Sequence, residues 1–177
     1  MRIKGVVERD KNHPSVVFWS LGNEFFHGPN VQKMYDWVLE KDPTRAVFND
    51  GRGNKGNNQV GCPSYSNVAE LSEAHKTLNQ PGIAKEMAHC MGNSLGQLAD
   101  MWDLFRNPDY PMLQGGFIWD WIDQGWTMTE NGRTCWDYGL RCGKTYQSHF
   151  CINGIVNPDR SVSAKLLEYQ PRPCAGH

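Results

Sequence analysis

Residues 15–24 read Ser15-Val16-Val17-Phe18-Trp19-Ser20-Leu21-Gly22-Asn23-Glu24, an apolar run of strand length that ends on a glycine, an amide and a carboxylate. The run does not alternate with polar residues, so it suits a parallel strand covered on both faces better than the half-solvated strand of an antiparallel sheet. The same form returns at Gly82-Ile83-Ala84-Lys85-Glu86, again with a glutamate where the strand gives out, this time into Met87-Ala88-His89. Two buried-looking strands that each deliver a carboxylate at the C-terminal end set the question of fold and of function together.

The segments around them supply the alternation that parallel strands need. Residues 2–12 carry Ile3, Val6 and Val7 at helical spacing and stop before His13-Pro14, where proline ends a helix. Gly28-Pro29-Asn30 opens a second helix with Val31, Met34, Tyr35 and Val38 on one face, closed by Asp42-Pro43. Ala46 to Phe48 reads as a short strand running into a Gly/Asn-rich loop at 49–58, and Gln59 to Cys62 as another before Pro63. Asn67 with Glu70 three positions on predicts a capping box for a helix using Val68, Leu71 and Leu78. Gly82 to Lys85 is the strand that delivers Glu86. Ser94 to Arg106 is a helix with Leu95, Leu98, Trp102 and Phe105 facing inward, and Met112 to Trp119 is a final strand. Helices and strands in alternation predict an α/β fold of βαβ units, with five strands and both glutamates on the face where a TIM barrel carries its chemistry.

Composition narrows the classes. With 177 residues, 39% apolar and 21% charged, the chain reads as a single globular domain over 1–177. A formal charge of −1 without a basic cluster excludes an electrostatic footprint for nucleic acid. No apolar stretch approaches the roughly 20 residues of a membrane span, and the N-terminal residues lack the apolar core of a secretory signal, so a cytoplasmic location is the expectation. The six cysteines show no CxxC pair and read as free thiols. Seven tryptophans, most of them near the strand ends, are a composition found where aromatic faces meet sugars.

Two carboxylates from different βα units, 62 positions apart, fit glycoside hydrolysis, in which one protonates the leaving oxygen and the other attacks the sugar carbon or activates water. A single strand-end glutamate caps a helix or pairs with an arginine about as often. Two of them, each in a turn rich in Gly, Asn or His, favour chemistry. His13 and His75 read as structural or surface residues, Trp102 and Trp121 as core, and Asp120 and Asp123 as backbone hydrogen-bond acceptors.

Four longer motifs then carry a resemblance: "RDKNHPSVVFWSLGNE" (Arg9–Glu24), "EMAHCMGNSLG" (Glu86–Gly96), "LQGGFIWDWIDQG" (Leu113–Gly125) and "FCINGIVNPDR" (Phe150–Arg160). Together they resemble the large bacterial β-galactosidases of glycoside hydrolase family 2, in the family's order and over roughly residues 2–169. The resemblance implies a partial (β/α)8 TIM barrel, about the last five βα units, from the fourth strand to the eighth. It implies a retaining β-glycosidase that hydrolyses terminal β-D-galactosides through a covalent glycosyl-enzyme. Glu24 matches the acid/base, following Asn23, whose amide can hold the sugar 2-hydroxyl, and Glu86 matches the nucleophile, with Tyr65 as its hydrogen-bond partner. His89 matches a residue that contacts the sugar, and Trp119 a wall of the galactose pocket. Glu24 further matches a magnesium ligand, and Phe150, through its carbonyl, and Asn153 match ligands of a sodium ion.

Departures from the family pattern temper these expectations. The chain starts at the helix before the fourth strand, so partners expected upstream are missing from both metal sites. Magnesium and sodium are the cofactors the family implies; both sites are incomplete in this chain, Glu24 being one carboxylate of a magnesium site and Phe150 and Asn153 part of a sodium site, so binding of neither is required by the sequence. Met87 stands where tyrosine is usual, and 140–148 replaces an acidic, glycine-rich stretch. Open barrel edges call for cover, for which a homo-oligomer is the favoured arrangement. Two other readings stay open: a β-glucosidase or endo-β-glucanase working in an opened cleft, and a non-catalytic remnant or carbohydrate-binding fragment.

Overall fold

The structure is a computed structural model that describes residues 2–24, 26–50, 59–92, 94, 96–137, 150 and 152–169. In chain order the elements are α1 (Arg2–Asp10), β1 (Phe18–Asn23), α2 (Pro29–Lys41), β2 (Ala46–Asp50), α3 (Val68–Thr77), β3 (Gly82–Met87), α4 (Leu98–Arg106), β4 (Leu113–Ile118), β5 (Trp126–Glu130), β6 (Arg133–Asp137) and α5 (Ala164–Glu168).

The expected parallel pairing is present. β1 runs beside β2 with Phe18 opposite Ala46 and Ser20 opposite Phe48, and β3 runs beside β4 with Gly82 opposite Leu113. A short extended segment joins the two pairs: Gln59 N donates to the Val47 carbonyl (3.1 Å), and Gly61 bridges to β3 through Gly61 N to Pro81 O and Ile83 N to Gly61 O (both 2.8 Å). The parallel order is therefore β1, β2, the Gly61 segment, β3 and β4.

The sheet's two faces are filled differently. On the helix side, Trp19 and Leu21 of β1 and Val47 of β2 pack with Ile3 and Val7 of α1 and Val31, Tyr35 and Val38 of α2. Farther along, Ala84 and Met87 of β3 and Leu113 of β4 pack with Leu71 of α3 and with Leu98 and Met101 of α4. On the other face Phe18 meets Phe48 edge-on at 5.3 Å between ring centroids and Phe117 at 6.2 Å. β1 and β4 are the outermost strands of the parallel order and share no ladder, so this ring contact requires a strongly curled sheet whose concave side these phenylalanines line.

β1 is anchored from the helix side by Asp42, just after α2. Trp19 Nε1 donates to Asp42 Oδ2 (2.9 Å) and Arg45 Nη1 to the same oxygen (2.6 Å), while Thr44 gives its amide (3.2 Å) and its hydroxyl (2.6 Å) to Oδ1. Burial alone would push this carboxyl up. The bonds from Thr44, Trp19 and Arg45 outweigh it and hold Asp42 well below the usual carboxylate range. Arg45 also donates Nε to the Val16 carbonyl (2.7 Å), which fixes the approach to β1.

Several expectations are corrected. β1 begins at Phe18, leaving Val17 exposed, and runs on to Asn23. α4 begins at Leu98 because Gln97 sits in the left-handed region (φ 60°), which the helix cannot include; Leu95 lies outside the described residues. Val6 and Trp102 are exposed, and the inward positions of their helices are Ile3 and Val7, and Leu98 and Met101. The antiparallel hairpin β5–β6, turning at Asn131-Gly132, was not anticipated, nor was α5, which Ser163 caps by accepting from Leu166 N. Pro29 at the start of α2 and the Asn67–Glu70 capping box of α3 are present as expected. Cys62, Cys90 and Cys135 are free thiols, the other three cysteines lie outside the described residues, and no described helix is long and apolar enough to cross a membrane.

Candidate active site

The two strand-end glutamates sit in unlike surroundings. Glu24 follows β1 on the rim, exposed, with φ 48°. Glu86, the penultimate residue of β3, is 6% exposed. A carboxylate buried this deeply needs donors. Tyr65 donates its hydroxyl to Glu86 Oε2, and Lys85 brings its amine within 2.8 Å of Oε1, so each oxygen has its own partner. Tyr65 is itself held by its backbone, its N–H donating to the Glu86 carbonyl at 2.7 Å, with φ 53°.

The remaining residues extend this cluster in both directions. The Lys85 amine also donates to Asn23 Oδ1 (2.6 Å), tying the end of β1 to the end of β3. On the other side the His89 ring packs edge-on against Tyr65 (5.9 Å) and tilted against Phe150 (5.8 Å), and its Nε2 lies 3.5 Å from Asn153 Nδ2. Trp119 donates its backbone N–H to the Met87 carbonyl (2.9 Å) beside Glu86, and the residue is 37% exposed. Asn23, Tyr65, Glu86, His89, Phe150 and Asn153 are thus one connected set, with Trp119 alongside and Glu24 joined to it through Asn23.

Three residues here take left-handed backbone without being glycine: Glu24, Tyr65 and Ala88 (φ 53°). Such conformations cost about 1–3 kcal/mol each where the surroundings must enforce them. Behind the set, burial pushes the Cys90 thiol up to about 11, so it stays protonated at neutral pH.

The metal expectations separate. Asn153 is 1% exposed and its carbonyl is committed to Cys90 N (3.2 Å) and Asp120 N (3.0 Å), yet its Oδ1 is buried with no hydrogen-bond partner. An inward-facing oxygen of this kind, with Phe150 nearby, fits part of the oxygen shell of a hard cation such as sodium. For magnesium the structure offers less: among the described residues no three His, Cys, Asp or Glu side chains gather around Glu24 or elsewhere.

Other sequence assignments resolve individually. Asp120 accepts from Trp121 N (2.5 Å) and Gln124 Nε2 (2.9 Å), and Asp123 from Gly154 N (2.8 Å), as backbone-directed acceptors should. Trp121, read as core, is 59% exposed. His13 is exposed, and His75 packs edge-on against Tyr110 at 5.2 Å. Lys85 was missed as a member of the set; its one signal was a charge inside an otherwise apolar strand.

The family model for glycosyl hydrolases family 2, TIM barrel domain, matches residues 1–174. A β-galactosidase of Pseudoalteromonas haloplanktis is 45% identical over 183 residues, covering 94% of this chain and 17% of the relative, and one of Vibrio cholerae serotype O1 is 43% identical over 184 residues, covering 94% and 18%. The chain thus spans less than a fifth of the length of these relatives. Among solved structures, a β-D-glucuronidase of Dictyoglomus thermophilum superposes with a TM-score of 0.56 at 17% identity, over 96% of this chain and 34% of that one. A β-glucuronidase from an uncultured Clostridium superposes with a TM-score of 0.58 at 17% identity, over 94% and 34%. These likenesses support a TIM-barrel fold, to which the curled parallel sheet and its outer helices conform. By sequence and by fold, the chain belongs to the TIM-barrel domain of glycosyl hydrolases family 2.

Proposed function

We propose that this chain carries the catalytic pair of a retaining β-glycosidase acting on terminal β-D-galactosides. The parallel order from β1 to β4 corresponds on this reading to the fourth to eighth strands of the barrel, within a single domain. The free edges of β1 and β4 are where further barrel strands or a second copy of the chain would pair.

The observation that carries the reading is the asymmetry of the two glutamates. Glu86 is buried with a donor on each oxygen, which suits an ionised nucleophile held in one orientation, whereas Glu24 stands on the open rim, where a proton can pass to a leaving oxygen and later be taken from water. A Glu86 oxygen attacks the anomeric carbon as the bond to the leaving oxygen breaks, and Glu24 gives its proton to that oxygen. Water then attacks the same carbon, losing a proton to Glu24, and the sugar leaves Glu86 with its anomeric configuration retained. Asn23 holds the sugar 2-hydroxyl, His89 contacts the sugar and Trp119 forms an aromatic wall. Asn153 Oδ1 and the Phe150 carbonyl would hold a sodium ion that steadies a sugar hydroxyl.

The test is hydrolysis of 4-nitrophenyl β-D-galactoside by the parent, Glu24→Gln and Glu86→Gln, with the anomer released followed by NMR. Each variant should lose about 10²-fold or more, the range of one general acid/base group or of a removed nucleophile. A parent no faster than either variant, or a first-formed α-anomer, overturns the proposal. The exposed indoles of Trp121 and Trp126 favour one second reading, a longer β-linked glucan in the open cleft. Faster release from soluble cellulose than from the aryl galactoside would select it.

A further inference from the structure

Lys85 is the one charged side chain of β3 before Glu86, and its direction follows from its neighbours. Ala84 packs on the helix side with Leu71, Leu98 and Leu113, the register of β3 shifts between Ala84 and Met87, and Lys85 in that stretch turns to the rim. There its amine lies 2.6 Å from Asn23 Oδ1 and 2.8 Å from Glu86 Oε1, with the side chain only 14% exposed. β1 and β3 are not neighbours, since β2 and the Gly61 segment stand between them, so one ammonium spans the rim between two strand ends.

That contact fixes more than a distance. An ammonium only donates, so the Asn23 atom facing it must be the carbonyl oxygen, and the two amide hydrogens of Asn23 are turned the other way. Glu86 is held on one oxygen by Lys85 and on the other by Tyr65, which removes its freedom to rotate. We infer that Lys85 is a positioning residue, a strut between β1 and β3 that orients the Glu86 carboxylate and presents the Asn23 amide as a donor to the sugar's 2-oxygen. The inference rests on the glycosidase reading above and adds to it a residue that does not touch substrate.

The test compares the parent with Lys85→Met and Lys85→Arg on two substrates, the aryl β-galactoside and its 2-deoxy analogue, with thermal melting as the control for folding. Lys85→Met should lower kcat on the galactoside by about 10- to 100-fold, the factor carried by one charge-assisted hydrogen bond, with KM changed less than threefold. Lys85→Arg, which can donate to both groups, should recover most of that loss. The loss caused by Lys85→Met should shrink on the 2-deoxy substrate, because the part transmitted through Asn23 has nothing to act on; a purely structural role would not distinguish the substrates. The Asn23 side-chain amide resonances, assigned with Asn23→Asp, should shift in Lys85→Met and return in Lys85→Arg. Equal loss on both substrates, an arginine variant as slow as the methionine one, or an unmoved Asn23 amide overturns the strut. If the parent itself shows no turnover, the reaction assigned above is what fails, and the Asn23 resonances alone decide the orientation claim.

Discussion

Replacing Asp42 with asparagine changes one atom, and its cost can be worked from the contacts around it. Asp42 Oδ2 accepts from Trp19 Nε1 and Arg45 Nη1, while Oδ1 accepts from the Thr44 amide and hydroxyl. Asparagine can keep one oxygen, so its NH₂ group faces either the Trp19 indole and Arg45 guanidinium, leaving both without an acceptor, or Thr44, whose hydroxyl can turn to accept while its amide loses its partner; in either case the negative charge opposite Arg45 is gone. Removing one partner of a buried charged network costs about 3–5 kcal/mol. For a chain of this size each kcal/mol moves Tm by about 2–4 °C, so a drop of about 6–20 °C is expected in a melt followed by circular dichroism. The pH dependence supplies a second reading. Asp42 is depressed in the folded chain and titrates near 3.9 when unfolded, so its contribution is complete above that value and is lost as pH falls below it toward the folded value. The gap between parent and Asp42→Asn should therefore be largest near neutrality and narrow below about pH 4. A Tm within about 2 °C of the parent at neutral pH, or a gap unchanged on acidification, would refute the assignment of Asp42 as the ionised anchor of β1.

Three further outcomes are expected. Tyr65→Phe removes the hydroxyl donor on Glu86 Oε2 and should lower kcat on the aryl galactoside by about 10- to 100-fold with little change in KM, read by steady-state kinetics. Glycine replacements should have opposite signs: a Cβ at Gly116 would run into Met87 Sδ and lie 3.0 Å from the Ala84 carbonyl, so Gly116→Ala should cost about 1–3 kcal/mol in urea titration. Gly5, inside α1 with open space around it, should gain about 0.5–1 kcal/mol on becoming alanine.

What the sequence made legible was whatever local chemistry dictates. Pro29 and the Asn67–Glu70 pair marked helix starts because their signals lie within one turn of the residues they organise. Glu86 was marked by its place at a strand end, and Asn23, Tyr65, His89, Phe150 and Asn153 through the resemblance; all six lie together in the structure. The β5–β6 hairpin was legible too, since Asn131-Gly132 between two runs rich in threonine and tryptophan is a strong two-residue turn signal, and it was overlooked. Trp102 and Val6 were misjudged because hydrophobicity reports what a residue can bury, while helix phase and neighbours decide whether it does. The Lys85 contact could not be read in advance: nothing near Gly82–Lys85 in the chain says that the amide it meets comes from Asn23, and only the curl of the sheet brings the two together.

The left-handed backbone at Glu24, Tyr65 and Ala88 bears on how this sequence can change over time. Glycine would adopt each of those conformations without a Cβ penalty, so selection for thermal robustness alone has an incentive to erase all three. Two of them are the proposed proton donor and the tyrosine that steadies Glu86. A lineage or a laboratory library screened only for heat resistance should therefore drift toward a sturdier and inert protein, whereas one also screened for turnover should keep these costly angles and gain its stability elsewhere, at positions such as Gly5.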